Sequence, residues 1–277
     1  MTALPLRDTS RLCVHTMTTK PLSLRQAIDA YTKAGIPGIT VWRNVFGEGG
    51  AAQAGRMLRE SGLKVVSLCR GGFFPSAMAQ GRQTAIEDNL RAIDEAAAIG
   101  APMVVLVCGA VPGMPLSEAR KQITEGIVAV LPHAKRAGVK LAIEPLHPMF
   151  ASDRSAVNTL AQANDMVAEI GDAFVGVAVD VYHVWWDPHL EAEISRCGSL
   201  QALFAFHVCD WRTPTRDLLN DRGLMGDGCI DVRQIRGWAE EAGFTGFLEV
   251  EVFSNDYWQM DQEVYLQKIR SAYLNHT

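Results

Sequence analysis

The sequence predicts an α/β fold, a single (β/α)8 barrel occupying residues 1–277. Three observations carry that prediction. Eight short apolar runs recur along the chain, helix-like stretches fall between them, and no glycine-rich phosphate turn GxGxxG follows the first run. Regular strand–helix alternation implies a parallel sheet, and eight such units close naturally into a barrel. A doubly wound sheet stays open as the alternative, without the phosphate turn that usually marks it.

In chain order the runs are RLCVH (11–15), GITVW (38–42), KVVSLC (64–69), MVVLVC (103–108), KLAIE (140–144), VGVAVD (175–180), LFAFHV (203–208) and FLEVEVF (247–253). Most are continuously apolar, as strands buried on both faces are. The clearest helical stretches are SLRQAIDAYTKAG (23–35), AIEDNLRAIDEAAAIG (85–100), EARKQITEGIVAVLPHAKRAG (118–138) and VRQIRGWAEEAG (232–243). They carry apolar residues three and four apart, and each closes on glycine, a common helix stop.

Apolar residues make up 48% of the 277 residues and charged residues 21%, which sets aside a disordered chain. A formal net charge of -5 gives no electrostatic reason to expect nucleic acid or an anionic membrane as partner. Cys13, Cys69, Cys108, Cys197, Cys209 and Cys229 form no CxxC pair, which suits a reducing compartment. The start of the chain, MTALPLRDTSRLCVH, lacks the apolar core of a signal peptide. No run approaches the ~20 apolar residues of a membrane span. A soluble cytoplasmic protein is the expectation.

In a barrel the chemistry sits where strands end and the following loops begin. KLAIE ends in Glu144, VGVAVD in Asp180, LFAFHV carries His207 next to its end, and FLEVEVF carries Glu251. Four neighbouring strands would thus bring two glutamates, an aspartate and a histidine to one face. Three carboxylates gathered without a counter-charge repel one another. A divalent cation removes that problem, and three carboxylates with one imidazole suit Mn²⁺ first, with Mg²⁺, Co²⁺ and Zn²⁺ as alternatives. Glu249 shares a strand face with Glu251 by alternation, so it is either a partner of the ligands or an alternative ligand.

His147, three residues past Glu144 and beyond a proline, is expected to point into the mouth. There it would either orient a neighbour or act as a general base, its pKa being nearest neutrality. Trp42, Trp185, Trp186, Trp211 and Trp258 lie at or just after strand ends, where aromatic faces suit sugar rings or simply pack the core. RGGFFP (70–75) and GDG (226–228) read as loops over the mouth or as ordinary turns.

The motifs IEPLHP, VDVYH, FHVCD, GDG and EVEVFS give the chain a family likeness over nearly its whole length. It resembles the xylose-isomerase-like TIM barrels of the sugar phosphate isomerase/epimerase superfamily. That group includes ketose 3-epimerases, hydroxypyruvate isomerase, inosose isomerases and dehydratases, and the endonuclease IV fold. The resemblance implies a metal held by Glu144, Asp180, His207 and Glu251. It also implies Glu144 and Glu251 as an acid/base pair acting through an ene-diolate, with His183 and Arg212 contacting substrate hydroxyls. The implied substrate is a small sugar, keto sugar or cyclitol; homo-oligomer formation stays open.

The implied activity is isomerisation or epimerisation. The alternative is a lyase, an inosose-type dehydratase or a C-glycoside deglycosidase, with His147 as general base. An endonuclease IV-like phosphodiesterase ranks last, because the chain is acidic and offers too few histidines at strand ends for three metals.

Overall fold

The eight apolar runs form eight parallel strands in the computed structural model, which describes residues 4–277. They are β1 (Leu12–His15), β2 (Gly38–Trp42), β3 (Lys64–Gly72), β4 (Met103–Val107), β5 (Lys140–Glu144), β6 (Val175–Asp180), β7 (Leu203–Val208) and β8 (Leu248–Val250). Each pairs with its neighbours in sequence, and β8 returns to β1 with Leu12 opposite Leu248, so the sheet closes without an edge.

Eight helices alternate with the strands: α1 (Leu24–Lys33), α2 (Gly50–Ser61), α3 (Ala79–Ile99), α4 (Leu116–Ala137), α5 (Leu160–Ile170), α6 (Leu190–Ser199), α7 (Val232–Glu241) and α8 (Gln262–His276). The logic of α1 is typical. Ser23 and Gln26 cap its start reciprocally, and Leu24, Ala27, Ile28 and Tyr31 form the buried stripe. Four of the helices stop at a left-handed glycine, Gly62, Gly100, Gly138 and Gly171. No helix among the described residues is long and apolar enough to cross a membrane.

Two hydrophobic layers hold the architecture together. The larger lies between barrel and helices; the smaller fills the barrel with Cys69, Met103, Val105, Ala142, Ala178 and Ala205. Small residues there leave the upper interior to polar side chains. The floor is closed by close approach: a Cβ on Gly38 would stand 2.9 Å from the Phe247 ring and 2.9 Å from Cys13 Cβ.

Two expectations change, and of the two readings of GDG the turn holds. RGGFFP is not a loop over the mouth, because β3 continues through Arg70, Gly71 and Gly72. The Phe73 and Phe74 amides then donate to Val107 and Cys108 carbonyls, and the Phe74 ring is buried where Gly126 of α4 leaves room. GDG is a turn wrapped around a carboxylate: Asp210 accepts the amides of Gly226, Gly228, Ile230 and Trp211. The last strand is shorter than FLEVEVF, so Glu251 sits just past its end, its amide still donating to Val208 at 3.2 Å.

Candidate metal centre at the barrel mouth

Adjacent strand ends set the site. Glu144 closes β5, Asp180 closes β6, and His207 on β7 stands opposite both Asp180 and Glu249 in the strand register. Glu144, Asp180, His207 and Glu251 each offer a ligand atom, and these atoms all lie within 4.8 Å of one another. All four are at most 5% exposed. His207 Nδ1 is 3.1 Å from Glu144 Oε1 and 4.0 Å from Glu251 Oε2. Neither His207 Nδ1 nor Glu144 Oε1 makes a hydrogen bond, although both are buried. Orphaned donors and acceptors in such a place call for a partner. Three carboxylates and one imidazole turned toward a common point fit a divalent cation.

The acids show the strain of being gathered. Burial, with repulsion from Glu251 and Glu144 and against the pull of Arg222, pushes the Asp180 carboxyl up to about 7. Burial also works against charged imidazoles, yet the acids beside them prevail. Glu249 and Glu251 push His15 up to about 9, and Glu144 with Glu249 and Glu251 pushes His207 up to about 10.

Two residues of this cluster escaped the sequence reading. Arg222, in a short antiparallel ribbon pairing Asp210–Trp211 with Arg222–Gly223, is 3% exposed. Its Nη1 reaches Asp180 Oδ2 at 2.9 Å and Glu251 Oε2 at 2.8 Å, so the protein does supply a counter-charge of its own. Nothing in the polar stretch around it signals that reach. His15 ends β1 with Nδ1 3.2 Å from Glu251 Oε1 and Nε2 3.2 Å from Glu249 Oε2. Here the signal existed, since His15 occupies the strand-end position that singled out the other four.

Glu249 lies outside the four-residue group. It accepts hydrogen bonds from Thr40 and from Ser67 Oγ at 3.0 Å, and its Oε2 is 3.9 Å from His207 Nε2. It therefore braces the far nitrogen edges of His15 and His207.

Asp180 also caps the short helix Val181–Val184, Oδ1 accepting the Tyr182 amide at 2.9 Å, which aims Oδ2 at Arg222. His183 in that helix accepts the His147 amide on Nδ1 at 3.2 Å. Its Nε2 stands 3.3 Å from Arg222 Nη2, a donor, and 3.6 Å from Asp180 Oδ2. Burial and Arg222 keep His183 neutral, its pKa well below the ordinary histidine value.

A cavity of about 180 Å³ opens above these groups, lined by Glu144, Glu251, His183, Arg222, Trp42 and Phe253 among others. His147 does not line it. Its ring packs 5.1 Å from Trp211 and 5.7 Å from Trp186, and its Nδ1 accepts the Met149 amide. Trp185, 5.8 Å from Trp211, belongs to the same aromatic group, and Trp258 donates to the Met17 carbonyl. Of the five tryptophans considered, Trp42 borders the cavity. Arg212 does not; its guanidinium is held by Asp256 at 3.0 Å and by Asp221 and Asp227 at 3.6 Å, 4.8 Å from the Tyr257 ring centre. Arg222, ten positions later, borders the cavity instead.

Comparison with known proteins agrees with this fold. Residues 28–272 match the model of the xylose isomerase-like TIM barrel family, and the chain belongs to it. A crystal structure of a protein from Sinorhizobium meliloti 1021 is 48% identical, with a TM-score of 0.94 over 97% of this chain and 99% of that one. An inosose isomerase of Halalkalibacterium halodurans is 26% identical over 205 residues, 73% of this chain and 71% of its own. The IolI protein with a bound zinc atom shares the fold at a TM-score of 0.83 and 21% identity, over 95% and 96% of the two chains.

Proposed function

We propose that this xylose isomerase-like barrel is a divalent-metal-dependent isomerase or epimerase of a small sugar-like or cyclitol-like carbonyl compound. One observation carries the reading: two glutamates from non-adjacent strands face a common point shared with Asp180 and His207. The inosose isomerase likeness and the zinc of IolI support it. Glu144, Asp180, His207 and Glu251 would hold the ion, which we expect to be Mn²⁺ or Zn²⁺. When bound it supplies Lewis acidity that offsets negative charge growing on a substrate carbonyl oxygen.

The two glutamates are not equivalent. Glu251 is clamped by Arg222 and His15, whereas Glu144 Oε1 has only His207 Nδ1 beside it, 3.1 Å away. Glu144 is therefore the carboxylate free to take the proton beside the carbonyl. Glu251, whose carboxyl Arg222 and His15 hold well below the usual carboxylate range, is the group placed to return a proton on the other side. Arg222 presents donors to substrate oxygens at the cavity wall, with the His183 ring beside it. The burial of all these groups keeps bulk water from competing for the proton.

The lyase alternative needs His147 as a base, and His147 is turned into the aromatic group instead. The deciding experiment follows inososes and ketoses by NMR in D₂O with Mn²⁺-loaded protein. Deuterium entering the product carbon skeleton is expected, with turnover falling by ~10²-fold or more in Glu144→Gln. A product that lacks deuterium and has lost water or an aglycone would overturn the isomerase reading.

A further inference from the structure

Two arginines of the cavity have no acid to answer them. Arg70, at the end of β3, and Arg154, in the segment after β5, both line the 180 Å³ space that holds Glu144, Glu251 and Arg222. Among the described residues neither makes an ion pair or a side-chain hydrogen bond. Other arginines nearby are fully engaged: Arg43 by Asp88 and Glu95, Arg222 by Asp180 and Glu251. Arg70 and Arg154 instead lie against rings, Arg70 Cζ 4.2 Å from the Phe73 centroid and Arg154 Cζ 5.4 Å from that of Phe150. A guanidinium held by its face keeps the donors of its edge free, and that edge matches a carboxylate or phosphate.

The charges of the site make the vacancy specific. If the proposed ion is present, its two positive charges and that of Arg222 balance Glu144, Asp180 and Glu251. His15 answers Glu249 below them. Arg70 and Arg154 are then left as two like charges in a partly buried space, each opposing the other. Holding them there is unfavourable unless an anion joins them. Phe73 and Phe150 supply packing for the stems but no charge.

We infer that the substrate carries an anionic group, a carboxylate or a phosphate ester, gripped by Arg70 and Arg154 while its carbonyl and hydroxyl end meets Glu144 and Glu251. The inference rests on the proposed function for the placement of the reacting end. It narrows the substrate class from neutral inososes and ketoses to keto acids of sugar size or phosphorylated sugars. The small volume of the cavity favours one anionic group on a compact molecule.

Binding, read apart from turnover, tests it. The metal-loaded protein is titrated calorimetrically with inorganic phosphate, 2-ketogluconate, fructose 6-phosphate, fructose and an inosose. Anionic probes should bind at least ~10-fold more tightly than the neutral ones, with affinity falling as salt rises. Tighter binding of 2-ketogluconate would identify the carboxylate, and of fructose 6-phosphate the phosphate. Arg70→Gln and Arg154→Gln should each weaken the anions by ~10-fold or more while leaving the bound metal, read by elemental analysis, unchanged. Arg154→Lys, which keeps charge and fold, should recover part of the loss. Neutral probes binding as tightly as anions, or anion affinity indifferent to both arginines, would overturn the inference. Anion binding that persists in a protein unable to take up metal would instead sink the proposed function and leave the arginine site standing.

Discussion

The mouth of the barrel divides into two halves that handle charge in opposite ways. At the ends of β5 to β8, Glu144, Asp180, His207 and Glu251 are packed against one another and against Arg222 and His15. At the ends of β2 and β3, Trp42, Arg43, Arg70 and Phe73 border a wider space of about 420 Å³, which shares Trp42, Arg70 and Phe73 with the smaller cavity. The first half assembles its charges before any ligand arrives, which suits groups that must meet a transition state without rearranging. The second half pairs Arg43 with Asp88 and Glu95 but leaves Arg70 unanswered, which suits a surface that selects what enters. The paired charges at the ends of β5 to β8 and the unpaired Arg70 of β3 thus stand on opposite parts of the mouth.

Removing the counter-charge of the first half should have the largest effect. Arg222→Ala leaves Asp180 and Glu251 buried without it, and metal-free protein should lose ~3–5 kcal/mol of stability in urea. The same change at Arg212 should cost only ~1 kcal/mol, because its partners Asp227 and Asp256 reach solvent and its buried partner Asp221 keeps Arg216. Equal losses would erase the distinction between a buried pairing and a rim pairing.

A pH profile of the metal-free protein comes next. Folded His15 and His207 bind protons more tightly than the unfolded chain does, with midpoints raised to about 9 and about 10. Their contribution is complete below the ordinary histidine value and is lost as pH rises through those midpoints. Stability should therefore decline from about pH 6.5 upward. A profile that is flat or rising across that range would mean the acids beside the two rings are already neutralised in another way.

The smallest effect sharpens the boundary of the chemical half. His147→Ala should lower turnover by about tenfold or less, as a residue that positions others does, and leave metal content unchanged. In the intact protein His147 should titrate below the ordinary histidine value because burial disfavours its charged form. Near-complete loss of turnover would return His147 to the role of general base and revive the lyase.

Much of the barrel was legible because its strands are buried on both faces. The runs at 38–42, 140–144, 175–180 and 203–208 match β2, β5, β6 and β7 to the residue, since nothing charged interrupts them before the mouth. The eighth strand was overdrawn because Glu249 and Glu251 alternate inward and prolong the pattern past the ladder. Helix α2, reading GAAQAGRMLRES, was not among the clearest because small residues blur its stripe. Strand-end acids announce themselves, as Glu144 and Asp180 did, because charge at the end of an apolar run is conspicuous. Arg212 and Arg222 are different. Both follow β7 in one irregular stretch, and only the path of the chain decides which of them turns inward.

That path is pinned at both ends. Asp210 gathers four amides and pairs with Gly223, so the excursion between Trp211 and Arg222 leaves and returns at one fixed point. The stretch behaves as an exchangeable panel. Its length and side chains can drift while Arg222 keeps its seat. Because Leu219 on that panel lines the cavity, such drift would reshape the cavity wall without touching Glu144 or Glu251.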